Sequence, residues 1–145
     1  MYTETLRFMV QQWHCDHLGH CNVQFYMGWA ADAAFSLTGR LGMDRQAAEQ
    51  SRLGVVAVRA ELDFRGELRG GDLVVAESAI EALGERKLQL HHRFRRAADG
   101  DRVLDARMVV VCMDLERRRA TAFPAPFAAA ARTYLTPETS TEPVA

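Results

Sequence analysis

No apolar run in this sequence is long enough to span a bilayer, although 48% of its residues are hydrophobic, so a membrane-embedded chain is not expected. The first residues, Met1-Tyr2-Thr3-Glu4-Thr5, lack the basic start and apolar block of a secretory leader. Cysteine is scarce: there are three, an odd number without framework spacing, which argues against a disulfide-stapled fold and for a reducing compartment. A cytoplasmic protein is expected. Net charge is missing too, at -1 with a pI near 6.5, so neither nucleic acid nor an anionic membrane is expected as partner. The 145 residues suffice for one domain that buries roughly 70% of the surface its unfolded chain exposes, without help from disulfide or metal.

What the chain does have is a dense polar cluster. From His14 to Asn22 the sequence reads His-Cys-Asp-His-Leu-Gly-His-Cys-Asn, holding three of the five histidines and two of the three cysteines. Ahead of it, Leu6, Phe8 and Val10 alternate with Arg7, Met9 and Gln11, a strand pattern ending near Trp13. Behind it, Val23 to Leu37 is alanine-rich and free of proline, so it reads as a helix buried on most of its circumference. Asn22 is the candidate N-cap, and Gly39 and Gly42 offer the C-cap. The positive end of a helix is thereby aimed at an acid and two histidines.

A short further helix fits between Gly42 and Leu53. From Val56 the period is two: Val58, Ala60, Leu62 and Phe64 predict a strand with one buried and one wet face. Gly70-Gly71-Asp72, Gly84-Glu85 and Asp99-Gly100 separate three more strands: Leu73 to Leu83, Lys87 to about Arg95, and Arg102 to Leu115. The short turns imply antiparallel pairing. All four prolines lie beyond, where Phe123 to Tyr134 is expected to dock as an irregular segment with a short helix. The fold class expected is α+β, a strongly curved antiparallel sheet wrapped around one long central helix. The domain is expected over residues 1–135, with a disordered tail over 136–145. The free edge of such a sheet invites a second copy.

Asp16 can attack a carbonyl or take a proton from water, and unpaired amides near Asn22, Val23 and Gln24 can hold developing negative charge. The plainer reading is that Asp16 closes a turn or caps the helix. His20 can orient Asp16 or serve as an ordinary hydrogen-bonder, and Gly19 is first a backbone requirement. A metal held by His14, Cys15, Asp16, His17, His20 and Cys21 is the rival for the cluster, but no second ligand group follows at recognisable spacing, so none is expected. A cysteine nucleophile is weaker still. Gln24, Gly28, Asp32 and Ser36 recur every fourth residue, a stripe expected to face solvent or a partner. Trp13, Phe25, Tyr26 and Trp29 are core by default and acyl-pocket lining as the alternative. Five basic residues between Arg86 and Arg96 read chiefly as a solvated face; Arg86, Lys87 and Arg93 are the candidates for phosphate contacts, with Arg117-Arg118-Arg119 behind them.

The order of elements and the stretch Asp16-x-x-Gly19-His20-x-Asn22-x-x-x-Tyr26 resemble the hotdog-fold acyl-CoA thioesterases. The similar branch contains the 4-hydroxybenzoyl-CoA thioesterases and their acyl-carrier-protein relatives. Leu62-Asp63-Phe64, Gly70-Gly71-Asp72 and Val109 to Leu115 followed by Pro124 match as well. The resemblance implies that Asp16 is the catalytic acid, that amides at the helix start polarise the thioester carbonyl, and that the substrate is an acyl-CoA bound at an interface of a homodimer or homotetramer. It implies no cofactor. Two positions depart from many relatives: His14 stands where a second acid is common, and Ala30-Ala31 follow Trp29 where a Glu is common. Hydration or dehydration of an acyl thioester is the alternative chemistry, but the Gly-Asp-x-Asn-Pro-x-x-His type of motif is absent. A non-catalytic acyl-CoA binding module is the other.

Overall fold

The computed structural model describes residues 1–137. The chain runs β1 (Thr3–Met9), a 3-10 turn (Gln12–His14), α1 (Gln24–Arg40), α2 (Arg45–Ser51), β2 (Leu53–Phe64), β3 (Leu73–Leu83), β4 (Lys87–Arg96), β5 (Arg102–Asp114), β6 (Arg119–Ala120) and α3 (Ala125–Arg132). The strands form one antiparallel sheet in the order β1-β3-β4-β5-β2, with β6 added beside β5. The sheet curls as a half-barrel against α1.

Helix α1 forms because Tyr26, Trp29, Ala30, Ala33, Ala34, Leu37 and Thr38 recur at helical spacing on the buried side. It ends in a Schellman motif: Met43 N–H donates to Thr38 O at 3.0 Å and Gly42 N–H to Gly39 O at 3.1 Å. Gly42 supplies the left-handed φ of 109° that this closure requires. The Gln24, Gly28 and Asp32 stripe is exposed, as is Phe35. Facing the helix, one parity of each central strand is apolar: Val74, Ala76 and Ile80; Leu88, Leu90 and Phe94; Leu104, Ala106, Met108 and Val110 are all buried. The register places Leu90 opposite Met108 and Phe94 opposite Leu104, so the apolar sides coincide.

His91 and His92 point to opposite faces, as alternation along a strand demands. His92 is fully buried on the helix side, its Nδ1 2.6 Å from Ser78 Oγ, which lies 2.7 Å from Thr5 Oγ1. Burial, with the neighbouring His91 adding to it, pushes the His92 pKa down to about 3 and keeps the ring neutral. His91 faces the outer side, where Tyr2 Oη meets its Nδ1 and its Nε2 lies 2.8 Å from Asp105 Oδ1. Asp105 is only 2% exposed and also receives Arg102 Nη1 at 2.8 Å and Arg65 Nε. Burial alone would raise its carboxyl pKa; hydrogen bonds from His91 and Arg65 and the charge of Arg102 outweigh that and hold it well below the usual range.

Several expectations are corrected. β1 stops at Met9, not near Trp13, because Gln12–His14 turn as a 3-10 segment. β2 starts at Leu53, three residues earlier than its alternation suggested, and it lacks the one buried face: Val58 and Phe64 are 59% and 53% exposed. Its position at the sheet edge is the physical reason, since alternation places side chains on a face but does not say what covers it. β6 was not anticipated. Thr136, assigned to the tail, donates its N–H to Ile80 O at 3.0 Å beside the Leu135–Ile80 bridge. The rest of the expected tail, residues 138–145, lies outside the described residues. Among those described, no helix is long and apolar enough to cross a membrane.

Candidate active site

The polar cluster folds as a small closed loop. Cys15 and Cys21 pair across an antiparallel bridge, with Asp16 N–H donating to His20 O at 3.2 Å and Asn22 N–H to His14 O at 2.8 Å. Between them Asp16 begins a tight turn: Gly19 N–H donates to Asp16 O at 3.0 Å, and Gly19 carries a φ of 83°, which only glycine adopts freely. The loop is tied to the β2–β3 connection by Cys21 N–H donating to Leu68 O at 2.6 Å.

Within this loop the Asp16 carboxylate is held at both oxygens. Asn22 Nδ2 donates to Oδ2 at 2.8 Å and Leu18 N–H to Oδ1 at 2.9 Å. These bonds, Asn22 first, lower the Asp16 pKa and keep it ionised at neutral pH. Asn22 turns its other end to the helix, its Oδ1 accepting from Gln24 N–H at 3.0 Å. One side chain thus positions the carboxylate and caps α1. Of the three amides at the helix start, Asn22 donates to His14 and Gln24 to Asn22; Val23 N–H has no acceptor among the described residues.

A cleft of roughly 540 Å³ opens beside this arrangement, lined by Asp16, His20, Cys21, Asn22, Val23 and Tyr26 on one side and by Phe64, Arg65, Gly66 and Glu67 on the other. An ionised acid and an unpartnered amide at the positive end of a helix share one cavity, the pair of groups that acyl transfer requires. The His20 Nδ1 lies 3.3 Å from Cys21 O. Burial pushes the Cys21 thiol up to about 11 and the Tyr26 hydroxyl up to about 12, so both stay protonated.

Of the residues singled out in the sequence, Asp16, His20, Asn22, Val23 and Tyr26 meet in the cleft. Gly19 shapes the loop without lining the cavity, and Gln24 does not line it either. Trp13 is 70% exposed, its ring 3.8 Å from that of His14 and edge-on to Phe25. His14 is buried and accepts from Gln11 N–H through Nδ1 at 2.8 Å, so the position of the second acid is occupied by a structural ring. Arg86 and Lys87 are exposed at the β3–β4 turn, and Arg93 pairs with Glu77 at 2.8 Å while covering the Tyr2 ring; none of the three lines the cleft. Sequence reasoning missed Arg65 and Glu67. The available signal was the break in alternation at Arg65-Gly66, where β2 ends.

The curled antiparallel sheet around one long helix defines the hotdog fold. The profile of the thioesterase-like superfamily matches residues 10–131, and the chain belongs to that superfamily of thioester hydrolases. No curated protein sequence matches significantly. Among solved structures, a Staphylococcus aureus protein in complex with CoA is similar, with a TM-score of 0.87 at 18% identity over 98% of this chain and 92% of that one. So are the 1,4-dihydroxy-2-naphthoyl-CoA thioesterase of Synechocystis (TM-score 0.79, 16% identity, 91% and 96% covered) and the DHNA-CoA thioesterase of Staphylococcus aureus (0.79, 11%, 91% and 89%).

Asn22→Ala is expected to lower kcat by about 10- to 100-fold through a loosened Asp16, and to cost about 1 kcal/mol of stability through the lost cap. Steady-state kinetics beside chemical unfolding checks both. An effect on stability alone would detach Asn22 from the site.

Proposed function

We propose that the protein hydrolyses an acyl-CoA thioester in the cleft between the Asp16 loop, the start of α1 and the end of β2. The observation that carries this reading is the shared cavity of the Asp16 carboxylate and the free Val23 amide. The thioester carbonyl oxygen accepts from Val23 N–H. Asp16 either attacks the carbonyl carbon, giving a mixed anhydride that water then opens, or takes a proton from the attacking water. Negative charge collecting on the oxygen is held by the amide and the helix dipole, and the C–S bond breaks to release CoA as a thiolate that takes up a proton. His20, beside Asp16, positions water or the thioester.

CoA as carrier is supported by the similar structure that contains it, and an aromatic acyl group by the two similar CoA thioesterases. A homodimer is supported by β2, an edge strand exposed on both sides with Val58 and Phe64 uncovered, next to a cleft that Phe64 itself lines. The three free cysteines fit a cytoplasmic setting. Release of free thiol from a panel of aromatic, short, branched and long acyl-CoA esters tests the reading, with light scattering for twice the 16.3 kDa chain mass. Turnover on one class is the expected result. Saturable binding without turnover on any ester would make the protein a binding module.

A further inference from the structure

Cys15 and Cys21 have no part in the proposed chemistry, yet they face each other across the antiparallel bridge of the Asp16 loop. The backbone bonds beside them show what kind of pair they form. Asp16 N–H donates to His20 O and Asn22 N–H to His14 O, so the bonds flank the two cysteines and neither cysteine bonds the other. In such a non-hydrogen-bonded pair the Cα atoms lie about 4.5 Å apart, and the two opposed side chains stand close together on the same face. A disulfide asks for Cα atoms roughly 4.4–6.8 Å apart. The backbone already meets that demand while both thiols are free.

The sulfurs are held only loosely where they stand. Cys15 Sγ rests 3.8 Å from Gln11 O and Cys21 Sγ 3.6 Å from Asn22 O, weak S–H contacts that a turn about χ1 releases. After burial, Cys15 is the next cause that raises the Cys21 pKa, so the two groups sense each other. Their exposure differs: Cys21 is 3% exposed, whereas Cys15 is half-buried and open to a small oxidant. We propose that Cys15 and Cys21 are an oxidation site, a dithiol that a peroxide converts reversibly to a disulfide across the base of the Asp16 loop. The Cys15 sulfur attacks one peroxide oxygen, the O–O bond breaks, and a water leaves with Cys15 as its sulfenic acid. The Cys21 sulfur then attacks the Cys15 sulfur, the S–O bond breaks, and the departing hydroxide takes the Cys21 proton as a second water. Two electrons pass from the sulfurs to the peroxide, and an external dithiol returns them by exchange. Asp16 and Asn22, which directly follow the two cysteines, are bonded to each other, so the cross-link pins the segment that holds the carboxylate. A transient bond of this kind suits a reducing compartment, where lasting disulfides are rare. The inference does not rest on thioester hydrolysis, and its test reads no turnover.

The test oxidises the reduced, folded protein with equimolar hydrogen peroxide, blocks remaining thiols with iodoacetamide in denaturant and maps the tryptic peptides by mass. Cleavage after Arg7 and Arg40 leaves both cysteines on one peptide, residues 8–40. In the wild type this peptide is expected unalkylated and lighter by two hydrogens, while Cys112, fully buried in β5, is alkylated as in the untreated protein. Dithiothreitol restores both alkylation sites. The oxidised protein is expected to melt about 4–8 °C above the reduced one. Cys21→Ser, which keeps Cys15 but has nothing to capture its sulfenic acid, carries that acid in a form that dimedone traps and shows no such rise. A wild-type peptide still alkylated at both cysteines after peroxide would overturn the proposal, as would a disulfide between two chains or to Cys112. An internal Cys15–Cys21 bond that lowers the melting temperature would overturn it as well, because the loop would then have to distort to close.

Discussion

Asp16→Asn lowers kcat for thioester hydrolysis by about 10³-fold, the central value for removing a group that transfers a proton or attacks in the transition state. The amide has nearly the same shape, so it still fills the turn and accepts from Leu18 N–H as the carboxylate does. What it lacks is charge. Neither nucleophilic attack nor proton abstraction survives, while the Val23 amide and the cleft remain to bind substrate, so KM changes little. A local penalty arises because the new side-chain amine faces the amine of Asn22, which now donates to Oδ2; a small fall in melting temperature accompanies the kinetic loss. Thiol release at saturating ester, measured beside a melting curve, checks both. Turnover near the wild-type rate in a folded variant would remove Asp16 from the chemistry.

Asp105→Asn lowers the unfolding free energy by about 2–3 kcal/mol at pH 7, below the roughly 3–5 kcal/mol for breaking a fully buried ion pair, because the Arg65 and Arg102 side chains are 51% and 30% exposed. The loss arises where the sheet leaves a carboxylate under three donors, and the neutral amide cannot answer two guanidiniums. The pH dependence follows from the direction of the shift. A carboxyl whose folded pKa lies below its unfolded value of about 3.9 contributes stability that is complete above that value and lost as pH falls toward the folded one. The gap between wild type and variant is therefore wide at neutral pH and narrows below about pH 4. Urea unfolding of both proteins at pH 7 and at pH 3.5 reads it, and an equal gap at the two pH values would mean that Asp105 acts through shape and not charge.

Much of the architecture was legible because periodicity is a local property. Helix α1 shows its buried face, its Asn22 cap and its Gly42 stop within consecutive residues, and each central strand carries its own alternation. The behaviour of β2 was hidden for the opposite reason. Val58 and Phe64 alternate as core residues do, and only the strand order, with β2 at the edge, leaves them uncovered. The same division runs through the site. Asp16, His20, Asn22 and Val23 fall within eight consecutive residues, so the sequence brings them together before the fold does. Arg65 and Glu67 arrive from some fifty residues away, and the partner that orients Arg65 lies on another strand. That Asn22 spends one end on Asp16 and the other on Gln24, leaving Val23 as the free amide, follows from side-chain geometry that spacing does not encode.

The most direct measurement is a crystal structure with a non-hydrolysable ketone analogue of the best acyl-CoA substrate. The expected result places the carbonyl oxygen about 3 Å from the Val23 amide nitrogen, with the Asp16 carboxylate facing the carbonyl carbon directly or through one water. A carbonyl bound away from Val23 and out of reach of Asp16 would contradict the account.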